Sequence, residues 1–236
     1  MRLYLNVPYK EKDQANKCGA FWDANKKKWY VSQFKKISEL NKWMEVNKCN
    51  IICKNLYILK MKSKCYSCKK DIEVIALATN DCYIQENGYA HNTNMQILRF
   101  IEDVPMKLEQ ILLRFNMIKK YTKTSKISYY VNNCISCKKS NGDFFIHERP
   151  STSFYQVLCY KNSMLEYYEI ENDELIPLYA ELPYYDMNIE ERSILFHMET
   201  GIENYASMGI NQYKVNQILI PEKCKGDVKF LGKIKY

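Results

Sequence analysis

Four of the ten cysteines occur in two short segments of nearly identical sequence. Residues 64–70 read Lys-Cys-Tyr-Ser-Cys-Lys-Lys, and residues 133–139 read Asn-Cys-Ile-Ser-Cys-Lys-Lys. A Cys-x-x-Cys pair on a tight turn brings two sulfurs close enough to share one ion, and two such turns complete a tetrahedral four-cysteine zinc site. We therefore predict a structural Zn²⁺ ion with four ligands: Cys65, Cys68, Cys134 and Cys137.

The two cysteine pairs are far apart in the chain. They are separated by 65 residues, whereas zinc ribbons commonly have about 15–20 residues between their pairs. The predicted site is therefore a long-range staple and not a local finger. Structural zinc contributes roughly 10–16 kcal/mol in isolated fingers, so loss of the metal is expected to unfold the middle of the protein.

Other interpretations of these cysteines remain open. The two pairs could be redox motifs or buried free thiols, and Cys49 and Cys53 could supply a rival ligand pair. Turns of this kind often have Gly after the second Cys because the backbone there takes a positive φ, but this chain has Lys69 and Lys138. The lysines beside the cysteines could balance the charge of the metal site or contact nucleic acid.

Other catalytic chemistry is not evident in the sequence. The three histidines are His91, His147 and His197, and His147, which closes a predicted strand after the second cysteine pair, could be a reserve zinc ligand. Asp143 and Glu148 could form an acid pair, but a turn and a strand end also explain them. Metalloprotease, phosphate-loop and dinucleotide-binding motifs are missing, so we expect no enzyme.

The charge is distributed unevenly along the chain. Residues 1–70 contain 17 Lys or Arg and 5 Asp or Glu, whereas residues 161–205 contain 2 and 11. The basic end favours a polyanionic partner, although the two ends could instead face each other. Arg2 is the only arginine in the basic segment, which favours phosphate attraction over base readout. The candidate nucleic-acid contacts are Lys10, Lys12, Lys17, Lys26, Lys27, Lys28, Lys35 and Lys36.

Aromatic residues allow two further interpretations. Trp22 and Trp29 could stack on bases or form a small core, and the 20 tyrosines could form a stacking platform only if several share one face. The acidic, Tyr-rich segment suggests an alternative function, in which it blocks a basic protein such as a nuclease. The candidate partner contacts are Glu169, Glu171, Asp173, Glu174, Tyr184 and Tyr185.

Hydrophobic periodicity predicts the elements that position these residues. Residues 1–47 are typical of a strand–helix–strand–helix unit, with Gly19 ending the first helix. Asp103 and Pro105 begin a helix whose last turn contains Lys119 and Lys120. Further strands are predicted at 72–78, 128–131 and 144–147, a loop at 80–94, and a helix from 188.

Two stretches resemble known sequences. The first contains Leu-Asn-Val-Pro-Tyr at residues 5–9, Gly-Ala at 19–20, Trp-Asp at 22–23 and Lys-Trp-Tyr-Val at 28–31. It resembles a small domain of unknown function found in mobile-element primases and in plasmid and phage proteins. The second, residues 129–154, resembles uncharacterised bacterial proteins that pair this segment with an upstream Cys-x-x-Cys. The resemblance implies a setting in DNA metabolism or mobile elements and implies no catalytic residue.

These observations predict an α+β protein with a small strand–helix–strand–helix N-terminal module joined to a zinc-stapled mixed α/β domain. The expected divisions are a basic module at 1–50, a zinc-ribbon-like domain with a long helical insert at 51–160, and an acidic region at 161–236. We expect a non-catalytic phage or mobile-element protein that docks on nucleic acid or a nucleoprotein complex. The longest apolar run has five residues, against roughly 20 for a membrane span, so a cytoplasmic location is expected.

Overall fold

The chain folds mainly into β-strands. A computed structural model describes residues 1–32, 37–85, 96–148, 154, 165–181 and 228–235. The elements are β1 (Leu3–Leu5), α1 (Lys12–Lys17), β2 (Phe21–Asp23), β3 (Lys28–Val31), α2 (Ile37–Leu40), β4 (Ile51–Lys64), β5 (Asp71–Ile84), β6 (Gln96–Ile97), β7 (Arg99–Asp103), α3 (Met106–Arg114), β8 (Met117–Thr122), β9 (Ile127–Asn133), β10 (Ser140–Asn141), β11 (Leu165–Glu171), β12 (Ile176–Glu181) and β13 (Val228–Lys235).

The predicted α+β class is therefore wrong. The longest helix in the described part of the chain, α3, has nine residues, and strands β5 to β9 occupy the stretch predicted to hold a long helical insert. The physical reason lies in β4 and β5, which have 14 residues each and bury side chains on both faces. Such strands lack clean alternation, so the sequence revealed only residues 72–78 of β5 and did not reveal β4.

Strand β4 is the centre of the largest sheet. It pairs along its whole length with β5, while its other edge pairs first with β12 and then with β11. Strand β12 continues the sheet to β7, and β11 continues it to β13 in a parallel pair. One sheet therefore crosses the domain boundary predicted at residue 160.

The central hairpin has hydrophobic cores on both sides. Ile58 and Leu77 pack into the core that contains α3, whereas Leu59 and Val74 pack into a second core beside the cysteine pairs. The strand predicted at 72–78 is confirmed within β5, which also continues through residue 84 into part of the predicted loop. Burial on both faces explains why residues 74–78 are the longest apolar run in the chain.

The N-terminal module is a three-stranded antiparallel sheet with the order β1–β3–β2. Helix α1 contributes Ala15 to the core on one face of this sheet, and Gly19 ends that helical segment with a φ of +86°, as predicted. Ile52 of β4 and Leu175 belong to the same core. The module therefore packs directly on the central sheet.

Helix α3 begins after Pro105, as predicted, but it ends earlier than predicted. Asn116, with a φ of +56°, reverses the chain, and the next strand begins at Met117. Lys119 and Lys120 consequently lie in β8 and not in the last turn of the helix. None of the helices in the described residues is long and apolar enough to cross a membrane.

The strand predicted at residues 144–147 is wrong. Phe144–Glu148 form one helical turn, because the backbone N–H groups of Phe145 and Ile146 both donate to the Gly142 carbonyl. Apolar residues alone could not distinguish a short strand from a single turn. The helix predicted from residue 188 lies outside the described residues.

Asn132 connects the smaller β8–β9–β10 sheet to the central hairpin. Its side-chain oxygen accepts the Ile75 backbone N–H at 2.7 Å, and its side-chain nitrogen donates to the Ile75 carbonyl at 2.8 Å. Asn132 is buried, so the two bonds satisfy backbone groups of β5 that water does not reach. This contact sets the end of β9 beside the hairpin that carries the first cysteine pair.

We predict that Asn132→Ala lowers the free energy of unfolding by about 2–4 kcal/mol, because two buried backbone groups lose their partner. Asn133→Ala is the matched control, since the Asn133 side chain accepts a bond from the amine of Lys120, and its loss is expected to be below about 1 kcal/mol. Urea unfolding of both variants measures the difference. Equal losses would contradict the role assigned to Asn132.

Candidate metal centre

Each cysteine pair lies in a tight turn at the end of a strand. The first knuckle, residues 65–70, joins β4 to β5, and the second knuckle, residues 134–139, joins β9 to β10. In the first, the Cys65 N–H donates to the Lys70 carbonyl at 2.9 Å and the Lys69 N–H donates to the Cys65 carbonyl at 3.0 Å. The second knuckle repeats both bonds at 2.9 Å. The near-repeat in sequence is therefore a repeat in backbone structure.

Both knuckles place a lysine where glycine would fit best. Lys69 has a φ of +61° and Lys138 has a φ of +59°. This left-handed conformation costs most residues roughly 1–2 kcal/mol because Cβ crowds the backbone. The turns therefore keep their usual geometry although lysine replaces glycine, and the positive φ of each lysine strains its turn.

The four sulfurs form one cluster. The Sγ atoms of Cys65, Cys68, Cys134 and Cys137 all lie within 4.8 Å of one another. Two distances between the knuckles are 3.6 Å, from Cys65 to Cys137, and 3.7 Å, from Cys68 to Cys134. Metal–sulfur bonds of about 2.3 Å at tetrahedral angles separate sulfurs by about 3.8 Å. The four cysteines are close enough to hold a metal ion.

The pKa values of these thiols differ because they are too close to ionise independently. Burial raises the pKa of Cys65, but the backbone N–H groups of Cys68 and Ser67 and the neighbouring sulfurs outweigh it and lower the value to about 6. The Lys70 backbone N–H lowers the pKa of Cys68, but burial and the other sulfurs raise it to about 11. A bound cation would allow all four to be thiolates together.

The first knuckle also contacts the segment that follows the second knuckle. The Tyr66 N–H donates to the Asn141 side-chain oxygen at 3.1 Å, and the Asn141 amide lies 3.9 Å from the Cys65 sulfur. The Tyr66 ring stacks on Phe145 with centroids 4.4 Å apart. Sequence reasoning missed Asn132 and Asn141, and their positions immediately beside the second knuckle were the available signal.

The rival ligands lie elsewhere. Cys49 and Cys53 are buried, and loss of solvent raises the pKa of Cys49 to about 12 and that of Cys53 well above its usual value. His147 packs near Phe154, and burial lowers its pKa to about 3. Among the described residues, the only cluster with metal-binding geometry is the four cysteines, and His147 does not belong to it.

Of the two acidic residues considered as a pair from the sequence, Asp143 has a structural role. Asp143 is buried, and its carboxylate accepts the Phe100 backbone N–H at 2.6 Å, where Phe100 has a φ of +44°. The side chain of Glu148 lies outside the described residues. Asp143 therefore holds a strained backbone position within β7.

The flanking lysines of the first knuckle have partners of their own. The Lys64 amine lies 2.8 Å from the Asp71 carboxylate, and the Lys69 amine donates to the Tyr66 carbonyl at 2.6 Å. In the second knuckle, the Lys138 carbonyl accepts a bond from the Lys120 amine at 3.4 Å. Whether these lysines balance the charge of a bound metal stays a prediction.

The predicted nucleic-acid contacts divide between two sides of the N-terminal module. Lys26, Lys27 and Lys28 are exposed in and beside the β2–β3 turn. The helical segment that packs on the core face of the sheet contains the other three, which are Lys10, Lys12 and Lys17. Lys35 and Lys36 lie outside the described residues.

Part of the acidic segment faces the basic module. The Glu174 carboxylate lies 2.6 Å from the Lys26 amine, and this hydrogen bond raises the pKa of Lys26. Glu169 and Glu171 lie in β11, and Asp173 precedes Glu174 in the turn to β12. Tyr184 and Tyr185 lie outside the described residues.

Comparison with known proteins confirms the resemblance of the N-terminal segment. A domain of unknown function, DUF5710, matches residues 2–45. Two proteins named DNA primase TraC, from Escherichia coli, are 46% identical over 44 residues and 57% identical over 30 residues. These matches cover 19% and 13% of this chain, which spans only 3% of the length of each relative. No solved structure gave a significant match.

We predict that the purified full-length chain carries one metal ion per molecule. Cys65→Ser is expected to lower metal affinity more than about 100-fold, since changes to residues behind the ligands already cost 10–100-fold. Cys53→Ala is the control, because Cys53 is buried outside the cluster. Elemental analysis of both variants checks this, and unchanged metal content in Cys65→Ser would contradict the site.

A second prediction concerns the strained turns. Lys69→Gly should raise the free energy of unfolding by about 0.5–1 kcal/mol, because relief of the left-handed strain exceeds the entropy that glycine adds to the unfolded chain. Lys70→Gly is the control, since Lys70 does not have a positive φ and should lose about 0.5–1 kcal/mol. Thermal unfolding of the metal-loaded variants shows whether each substitution raises or lowers the free energy of unfolding.

Proposed function

We propose that this protein is a zinc-stabilised binding protein of a mobile element, and that its N-terminal module docks on nucleic acid. The proposal includes no catalytic role. The observation that carries it is the exposed cationic turn of residues 26–28 on a module similar to part of a DNA primase. The four-cysteine centre stabilises the sheet on which this module packs.

Zinc is the proposed metal because of the ligands and their geometry. Four thiolates in a tetrahedron favour zinc or iron–sulfur chemistry over magnesium or calcium. The sulfurs lie within 4.8 Å of one another, which is close enough for a single ion, whereas a two-iron cluster needs room for two metals. All four positions are protein ligands, which is typical of a structural zinc site and leaves no open position for substrate.

The cationic turn is held in place by Asp23. Its carboxylate accepts the backbone N–H groups of Asn25 and Lys26 at 3.0 and 3.1 Å, and Lys27 completes the turn with a φ of +51°. These bonds lower the pKa of Asp23, with the Lys26 N–H contributing most. Lysines on a fixed turn attract phosphates without selecting bases.

The inhibitor hypothesis has less support from the contacts. Glu174 is already paired with Lys26 within the chain, and β11 is hydrogen-bonded to strands on both sides. An ion pair inside the chain leaves less charge for a basic partner. Blocking of a nuclease by the acidic segment stays a prediction.

We predict that affinity for DNA falls steeply with salt, because phosphate contacts release counterions. Replacing Lys27 and Lys28 together by Gln should weaken binding and reduce the slope of log affinity against log salt by about 1.5, from roughly 0.7–0.9 per contact. Fluorescence anisotropy at several salt concentrations measures both quantities.

The matched control replaces Lys10 and Lys17 by Gln. These lysines are also exposed, and their replacement removes the same charge, but they lie on the helical side of the module. If both double variants lose the same affinity for DNA, net charge alone attracts the DNA and the turn has no specific role. Absence of binding to duplex DNA, single-stranded DNA and RNA would overturn the proposed function.

A further inference from the structure

An aromatic row crosses the outer face of the N-terminal sheet. Tyr4 of β1 lies opposite Tyr30 of β3, and Phe21 of β2 lies opposite the same Tyr30. Residues directly opposite each other in antiparallel strands share one face. The ring centroids are 6.1 Å apart at both steps. Three aromatic residues on one face meet the condition that a stacking platform requires.

The other face of the same sheet is the core face. Leu3, Leu5 and Val31 are buried there, and Trp29 packs against this core. Trp22 lies opposite Trp29 at the sheet edge, with ring centroids 5.7 Å apart. The two tryptophans therefore lie on the core face of the sheet. The row of Tyr4, Tyr30 and Phe21 lies on the opposite face.

The row is partly open to solvent and lies beside two cations that are paired with carboxylates, Arg2 with Asp23 and Lys26 with Glu174, each at 2.6 Å. Phe21 is 55% exposed, which is unusual because the solvent face of an antiparallel sheet is normally polar. The Arg2 guanidinium lies 4.2 Å from the Tyr30 ring centre, and the Lys26 amine lies 4.7 Å from that of Tyr4. Lys28, opposite Asp23, stands on the same face.

We infer that single-stranded nucleic acid binds this face, with bases on Phe21 and on the Arg2 guanidinium that covers the Tyr30 ring. The phosphates would lie at Lys27 and Lys28, the exposed lysines of the adjoining turn that are not paired with Glu174. The inference rests on the proposed function and specifies its ligand. Aromatic rings and arginine planes both stack on unpaired bases. Lysines beside the row complement the phosphates that join those bases.

The geometry favours a single strand over a duplex. Bases in a duplex cover each other's faces at a spacing of about 3.4 Å. The rings here are 6.1 Å apart, so neighbouring bases must be unstacked to lie on neighbouring rings. A duplex would contact only the lysines, through its phosphates.

The test compares two adjacent exposed aromatic residues on opposite faces. Phe21→Ala should weaken binding of a labelled oligothymidylate by about 5- to 150-fold, the range for removing one stacked base, and leave duplex binding within about twofold. Trp22→Ala is the matched control, since Trp22 is 53% exposed on the same strand, and it should change affinity less than about twofold. Phe21→Tyr should retain the wild-type affinity.

The measurements use the full metal-loaded chain with single-stranded DNA, single-stranded RNA and a duplex of equal length. Thermal unfolding of each variant separates loss of binding from loss of folding. Equal effects of Phe21→Ala and Trp22→Ala, or duplex binding as tight as single-strand binding, would overturn this inference while leaving the proposed function standing. Absence of binding by the wild-type chain to all three ligands would remove the proposed function itself.

Discussion

Four sulfurs drawn from two turns 65 residues apart meet within 4.8 Å, and much of the middle of the protein is arranged around that meeting. Such close thiols share protons unless a cation neutralises them, as the opposite pKa shifts of Cys65 and Cys68 indicate. The contacts of Asn132 and Asn141 bring the turns together through the protein's own hydrogen bonds. A metal would thus lock an arrangement that the polypeptide already prepares.

The central hairpin links this centre to the N-terminal module. Its turn carries the first cysteine pair, while Ile52 near its start packs in the core of the module. Burial on both faces makes the hairpin the common support of both regions. Loss of order at the cysteine turns would therefore be transmitted to the surface proposed to bind nucleic acid.

The uneven charge of the chain has a partial structural explanation. The pair between Lys26 and Glu174 brings the basic and acidic segments together, one of the two interpretations that the sequence left open. It neutralises only one of the three lysines at residues 26–28, however, and Lys27 and Lys28 remain exposed. The contact between the basic and acidic segments is therefore compatible with a polyanionic partner for the basic segment.

The sequence by itself was sufficient to select the four cysteines that cluster, the start of α3 after Pro105 and the resemblance of the N-terminal module, because these depend on short local patterns. It was insufficient for the fold class, since strands buried on both faces lose the alternation that reveals them. Only the tertiary structure decided that Tyr4, Phe21 and Tyr30 share a face. That arrangement depends on the register of β3 with both β1 and β2, which the types of the residues do not specify by themselves.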